Sequence, residues 1–308
     1  MFELTFLGTA AAVPAADRGL PALLVDHGPR RFLVDCGEGT QRQILASGVG
    51  VRRLDTILLT HGHADHVLGL PGLAATLAQW EATPHLTICG GPATLAVVRA
   101  LMDGALHPYG DPGIEIRLQE IGPGVVWEDA ELRVVAFPLQ HTVADCLGFR
   151  FEDKGPKMRL DPARLDALRV PPGPMRALLA GGVGVDLPGG RRVEPEEVAA
   201  PSKPGPRVCV VGDTGPFAEL VAEAAGADLL VCEATFLSGD AQRAALSGHL
   251  TAAQAAQLAV EARVEALWLT HISHRHRGPE VQAEARMVFP AARVASDFER
   301  VKVVGRKD

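Results

Sequence analysis

No apolar run in the 308-residue chain approaches the ~20 residues needed to cross a bilayer. The N-terminus, MFELTFLGTAAAVPAA, lacks the basic segment that opens a secretory signal, and Glu3 stands where lysine or arginine belongs. Together these absences predict a cytoplasmic protein with no membrane association. Paired cysteines are missing as well. The five cysteines (Cys36, Cys89, Cys146, Cys209 and Cys232) are odd in number, scattered and without a CxxC spacing. They read as reduced, mostly buried thiols that act as small hydrophobes. A surplus of basic charge is also absent. Thirty Lys and Arg against 37 Asp and Glu leave a formal charge of −7, which argues against a general nucleic-acid binder.

What is present fits a folded chain with a large core. Hydrophobic residues make up 47% and charged residues 22% of the sequence. The pattern predicts strands at 2–7, 22–26, 31–36, 55–60, 86–89, 114–118, 132–137 and 147–152. Helices are expected at 40–47, 70–80 and 93–102. The second half continues with strands at 207–211, 228–232 and 266–270. Its helices are expected at 217–225, 251–263 (with Thr251 as N-cap) and 279–288. Strands alternating with helices in two halves predict sheets covered by helices. Between Gly155 and Pro206 the texture changes. Ten prolines and eight glycines there are too many for a single helix–strand unit, so 155–206 is read as an arm inserted into the single domain 1–308. Within it, ARLDALRV and RALLAGGV can form short ordered pieces.

Ligand-type residues gather at strand ends. His61, His63, Asp65 and His66 form an HxHxDH cluster directly after the apolar run DTILLT. A loop leaving a strand can aim neighbouring side chains at one centre, which alternation inside the strand forbids. His141 follows VVAFPLQ, Asp213 follows VCVVG and His271 follows LWLT, all in equivalent places. The simplest assignment gives one Zn²⁺ ion His61, His63 and His141, and a second Asp65, His66 and His271, with Asp213 bridging both. Mn²⁺ or another divalent ion suits the same ligands. Two such ions ~3.5–4 Å apart can clamp the attacking and departing oxygens of a phosphodiester and lower the pKa of a bridging water toward ~7. Attack by that metal-bound hydroxide needs no RNA 2′-OH. Asp65 is the candidate to orient the hydroxide or accept its proton. Asp35, after a strand, is a candidate to hydrogen-bond the non-coordinating nitrogen of a ligand histidine.

The HGHADH cluster with His141, Asp213 and His271 resembles the ligand set of the metallo-β-lactamase superfamily. FLGTAAAVP, VDCGEGTQRQ, HGHADHVLGLPGL, VGDTGP, CEATF, GHLTAAQAA and LTHIS resemble, in order, the words of its ribonuclease Z branch, the tRNA 3′-processing endonucleases. This resemblance implies a four-layer αββα fold of two sheets between helices, with the insertion as a flexible arm that grips tRNA from a neighbouring subunit of a homodimer. It also implies precursor tRNA as substrate, leaving 3′-hydroxyl tRNA and a 5′-phosphate trailer. His249 would help protonate the leaving 3′-oxygen, and Glu233 would hold that imidazole in the needed tautomer. The arm departs from the family pattern: MRALLAGGVGVDL carries one basic residue, Arg176, where lysines are usual. Lys154, Lys157, Arg159, Arg164 and Arg169 enter the arm, and Arg191, Arg192, Lys203 and Arg207 leave it. Arg275 and Arg277 follow His271. The early loop reads DRGL where the family has Asn after Arg. Two other readings use the same fold: a phosphodiesterase for another RNA or a small phosphodiester, and a catalytically silent RNA-binding scaffold.

Overall fold

Short runs of aliphatic and β-branched residues, separated by turns, build two seven-stranded sheets. The structure, a computed structural model, describes residues 1–106, 113–155, 159–200 and 205–305. Lys157 and Lys203 lie outside these residues. From its edge inward, the first sheet runs Arg300–Val303, Phe2–Gly8, Ala22–His27, Arg30–Val34, Leu54–Leu58, His85–Gly90 and Glu115–Glu120. The second runs Arg293–Val294, Leu267–Thr270, Leu229–Glu233, Arg207–Val211, Leu147–Asp153, Leu132–Pro138 and Gly124–Glu128. Each sheet is half antiparallel and half parallel. The central parallel strands Leu229–Glu233 and Leu267–Thr270 read as nearly unbroken apolar runs, because both of their faces are covered.

The sheets pack face to face through Phe2, Phe6, Phe32, Phe149, Phe151 and Trp268, with Phe6 stacked on Trp268 at 5.4 Å. Helices Thr40–Ser47, Leu70–Gln79 and Pro92–Ala105 cover the outer face of the first sheet. The helices Glu219–Ala224, Ala252–Glu261 and Gly278–Arg286 cover the second. The expected αββα order is therefore the observed one. Thr251 caps its helix as read, with Gln254 completing the reciprocal bond. The strand expected over 55–60 ends at Leu58, which frees Thr60 to turn toward the centre described below. Strands Gly124–Glu128 and Arg300–Val303 and helix Ala241–Ser247 escaped the periodicity reading. They lie at sheet edges or on the surface, where one-sided exposure blurs the pattern.

Two glycines explain why the words VDCGEG and HADHVLG occur together. A Cβ on Gly69 would sit 2.1 Å from the Gly37 carbonyl oxygen, and one on Gly37 would sit 2.4 Å from that of Asp65. The two loops pack backbone against backbone, and Cys36 N–H donates to the His66 carbonyl at 2.8 Å. Gln43, in GEGTQRQ, donates to the Leu7 carbonyl and to Asp297 at 2.7 and 2.6 Å. That ties the first helix to the end of the first strand and to the segment before Arg300–Val303.

Residues 159–200 differ from the loop-like arm expected. They form helices Pro162–Ala167 and Pro174–Ala180, a two-stranded hairpin (Val185–Asp186 with Arg192–Val193) and a 3₁₀ turn, Pro195–Val198. Both fragments singled out in the sequence are helical. Leu165, Val170, Leu179, Val185, Val193 and Val198 give the arm an apolar core of its own. Prolines open both helices, a position where their missing N–H costs nothing.

Candidate metal centre and active site

The parallel halves of both sheets end at one rim of the sandwich, the usual place for a site in such sheets. His61, Asp213 and His271 each sit just past a parallel strand, and His141 just past Leu132–Pro138. Asp65 and His66 occupy the short helix Ala64–Val67. His271 has a left-handed φ of +56°, and Asp35, past Arg30–Val34, has +60°. For residues with a Cβ this costs roughly 1–2 kcal/mol. It breaks the strand's alternation and turns both side chains inward.

All seven predicted ligands meet. His61 Nε2 lies 2.9 Å from His63 Nδ1, and His141 Nε2 lies 3.3 Å from the same atom. Asp213 Oδ2 is 3.8 Å from His61 Nε2 and 3.9 Å from His141 Nε2. On the other side, Asp65 Oδ2 is 3.6 Å from His66 Nε2 and 3.5 Å from His271 Nε2. Asp213 completes that group too, at 3.5 Å from His66 Nε2 and 3.3 Å from His271 Nε2. Asp213 thus stands between two clusters of the kind that can each hold a divalent cation.

The outward-facing nitrogens are already engaged. His66 Nδ1 donates to Asp35 at 2.8 Å, and His141 Nδ1 donates to the Gly248 carbonyl at 2.8 Å. His61 Nδ1 donates at 3.0 Å to Thr60 Oγ1, which in turn donates to Asp35 at 2.8 Å. His271 Nδ1 donates at 2.8 Å to Thr235 Oγ1, which donates to Glu233 Oε2 at 2.6 Å. Glu233 Oε1 accepts from His249 Nδ1 at 2.8 Å. Each half of the sandwich thus uses one buried carboxylate to orient one histidine directly and a second through a threonine hydroxyl. The sequence reading found Asp35 and Glu233 but missed Thr60 and Thr235. Their only linear signal is a hydroxyl next to His61 and two residues past Glu233.

With those nitrogens spoken for, His66 Nε2, His271 Nε2 and Asp213 Oδ1 remain buried and without any hydrogen-bond partner. Orphaned buried polar atoms are costly. Three of them aimed at the same two clusters fit cations held there, and imidazole nitrogens with carboxylates are the donor set such ions take. Burial, then the neighbouring imidazoles, push His61 down to about 2, so its ring is the neutral, coordinating form. Burial opposes ionisation of Asp65 and Asp213, but the surrounding histidines outweigh it and hold both well below the usual carboxylate range.

The clusters open on a cleft of about 430 Å³. His249, Arg243, Ser273 and Arg275 are among the residues that line it. Ala12 also lines it and donates its N–H to Asp65 Oδ2 at 2.9 Å. Burial lowers the His249 pKa, but the Glu233 charge and hydrogen bond prevail and raise it to about 9. Glu233 itself is fully buried beneath His249, so it acts on the cleft only through that ring.

A family profile described as "Beta-lactamase superfamily domain" matches residues 30–159 and 197–272. A ribonuclease Z of Bradyrhizobium sp. (strain ORS 278) is 49% identical over 303 residues, covering 98% of this chain and 100% of that one. The chain belongs to the ribonuclease Z family. It is an endoribonuclease of that metallo-β-lactamase branch. A ribonuclease Z of Methanothermobacter thermautotrophicus (strain Delta H) is 38% identical over 304 residues, covering 98% of this chain and 97% of that one. The crystal structure of human tRNase Z, short form, has the same fold, with a TM-score of 0.70 at 24% identity over 98% of this chain and 99% of that one. No helix among the described residues is long and apolar enough to cross a membrane.

Proposed function

We propose that this ribonuclease Z family member removes the 3′ trailer from precursor tRNA by hydrolysing one phosphodiester, leaving 3′-hydroxyl tRNA and a 5′-phosphate trailer. The observation that carries the reading is the complete set of seven His and Asp side chains gathered beside the cleft, five of them lining it, in a chain of this family. His61, His63 and His141 would hold one divalent ion and Asp65, His66 and His271 a second, with Asp213 shared; zinc is the proposed metal at both. Bound there, the two ions would neutralise charge on the phosphodiester and make water at the centre acidic enough to ionise near pH ~7.

The chain's own residues supply the rest. Asp65, held by Ala12 N–H and depressed in pKa, is an ionised acceptor for the proton of the attacking water. His249 lines the cleft while its Nδ1–H is fixed on Glu233, so the ring is protonated on both nitrogens at neutral pH and is left as the Nδ1–H tautomer once Nε2 gives up its proton. As water adds to phosphorus and the P–O3′ bond breaks, His249 Nε2–H is the proton the departing 3′-oxygen takes. Glu233 is a positioning residue and His249 the catalytic acid.

Thr235 links Glu233 to the His271 ring. Thr235→Val is expected to weaken the ion of the Asp65, His66 and His271 cluster about 10–100-fold, with Thr235→Ser near wild type. Chelator competition reads this directly, and a valine variant that keeps both ions at wild-type affinity removes the link.

The inserted arm, 155–206, is proposed as a tRNA-binding exosite. Two observations support it: the arm has its own core, and the superfamily profile skips residues 160–196. The same reading includes a homodimer, in which one arm serves the partner's cleft, and a cytoplasmic location. Light scattering that shows a monomer throughout the working concentration range removes the dimer. The function is tested by incubating metal-loaded enzyme with precursor tRNA carrying a labelled 3′ trailer. A single cut beside the discriminator nucleotide, lost in Asp65→Ala, is expected. Hydrolysis of a small phosphodiester with no cut in tRNA would move the function to another substrate.

A further inference from the structure

Asp35 and Glu233 hold their histidines in the same way. Asp35 accepts the Nδ1–H of His66 at 2.8 Å and reaches His61 through Thr60. Glu233 accepts the Nδ1–H of His249 at 2.8 Å and reaches His271 through Thr235. Three of these four rings are among the seven proposed ligands, and the fourth, His249, is the proposed acid. Yet a carboxylate on Nδ1 is the arrangement that prepares an imidazole for a metal, because it settles the tautomer and makes Nε2 a stronger donor. By its surroundings His249 is dressed as a ligand.

Its neighbours complete a third group. One donor atom each from Asp213, His249 and His271 lie within 4.8 Å of one another. The His249 and His271 rings are 5.4 Å apart with their planes 29° from parallel. His271 Nε2 is buried without a partner, and so is Asp213 Oδ1, 3.3 Å away. His66 faces the other oxygen of that carboxylate, Oδ2, at 3.5 Å. Oδ1 is therefore free for an ion on the His249 side while Oδ2 stays with the two clusters described above. Two imidazoles and a carboxylate form the donor set of open zinc sites, and all three residues line the cleft, where water can fill the remaining position.

We infer that excess zinc places a third ion on His249 Nε2, His271 Nε2 and Asp213 Oδ1, and that this ion switches the enzyme off. The inference rests on the metal and acid assignments proposed above. One nitrogen lone pair serves one ion, so His271 passes to the third ion and the second keeps Asp65, His66 and Asp213 Oδ2. At His249 the ion takes the place of the Nε2 proton, which goes to solvent. The departing 3′-oxygen then finds no proton on that ring. Manganese should not do the same, because it stands at the weak end of the affinity order for such ligands and prefers oxygen donors. The site thus sets an upper limit on the zinc level at which the enzyme works.

The test is zinc binding to the two-metal enzyme by equilibrium dialysis, with turnover of precursor tRNA followed at each free zinc concentration, for wild type and His249→Ala. Wild type should take up a third equivalent, and turnover should fall about 10²-fold or more over the same concentrations, the loss expected when a general acid is blocked. His249→Ala should stop at two equivalents, and its low residual turnover should not respond to added zinc. Manganese should stop at two equivalents in both proteins and leave turnover unchanged in excess. Wild-type crystals soaked in excess zinc give a reading that does not depend on the variant's folding: anomalous scattering should place an ion on His249 Nε2. No third equivalent in wild type, a third equivalent held as tightly by His249→Ala, or a third equivalent bound without inhibition overturns the inference. A wild type that holds fewer than two ions overturns the metal assignment with it. A third ion that binds and blocks hydrolysis of a small phosphodiester, in an enzyme that does not cut precursor tRNA, overturns the proposed function and leaves the site standing.

Discussion

Asp213→Ala is expected to lower turnover of precursor tRNA by on the order of 10⁴-fold or more, the scale seen when one member of a catalytic unit is removed. The reason is its place. Asp213 is 3% exposed, and its carboxylate reaches both histidine clusters, within 3.3 to 3.9 Å of four imidazole nitrogens. Removing it takes the carboxylate away from His61 and His141 and leaves His66 and His271 with Asp65 alone. Metal content should fall below two equivalents in the same variant, as read by elemental analysis. The fold should persist, because Asp213 makes no hydrogen bond through Oδ1 and the strand before it is held by backbone ladders to both neighbours. A variant that keeps two ions and turnover within tenfold of wild type would refute the bridging role.

His249→Ala should act on a different quantity. Turnover is expected to fall about 10²–10⁴-fold, the usual contribution of a positioned general acid, with metal content unchanged. His249 is not one of the seven proposed ligands; it lies beside Asp213 and His271 and lines the cleft, so its removal leaves those seven side chains in place. Glu233→Gln should give a smaller loss in the same direction. The amide oxygen can still accept from Thr214 N–H, but its NH2 cannot accept from Thr235, and the substitution withdraws the charge that raises His249. Turnover within a few-fold of wild type for His249→Ala at full metal occupancy would remove the acid role.

The two variants probe parts of the site that differed in how far they could be read beforehand. The HxHxDH word was legible because four ligand-type side chains in six residues have no ordinary structural use. His141, Asp213 and His271 were legible because each ends an apolar run, and parallel strands end at one rim. Thr60 and Thr235 were not. Threonine is common in strands and turns, and nothing in the chain announces that one hydroxyl will lie 2.8 Å from a ring 36 residues away. Arg243 was overlooked for a similar reason. Its helix, seven residues long and largely exposed, carries too weak a periodicity to be found or oriented.

The arm shows the same division. Its prolines and glycines marked an insertion, and its scarcity of lysine was visible at once. That six aliphatic side chains close into a core, and that four arginines spend their charge on neighbouring carboxylates, depends on which residues meet across the hairpin and helices. The sequence by itself determined the layer order, the residue types that gather at the strand ends and the family, because periodicity and local words are properties of neighbours along the chain. Only the tertiary structure decided which nitrogen each histidine keeps free and that Asp213 stands between the clusters. Those are distances between residues tens to hundreds of positions apart, set by the packing of two sheets rather than by any single segment.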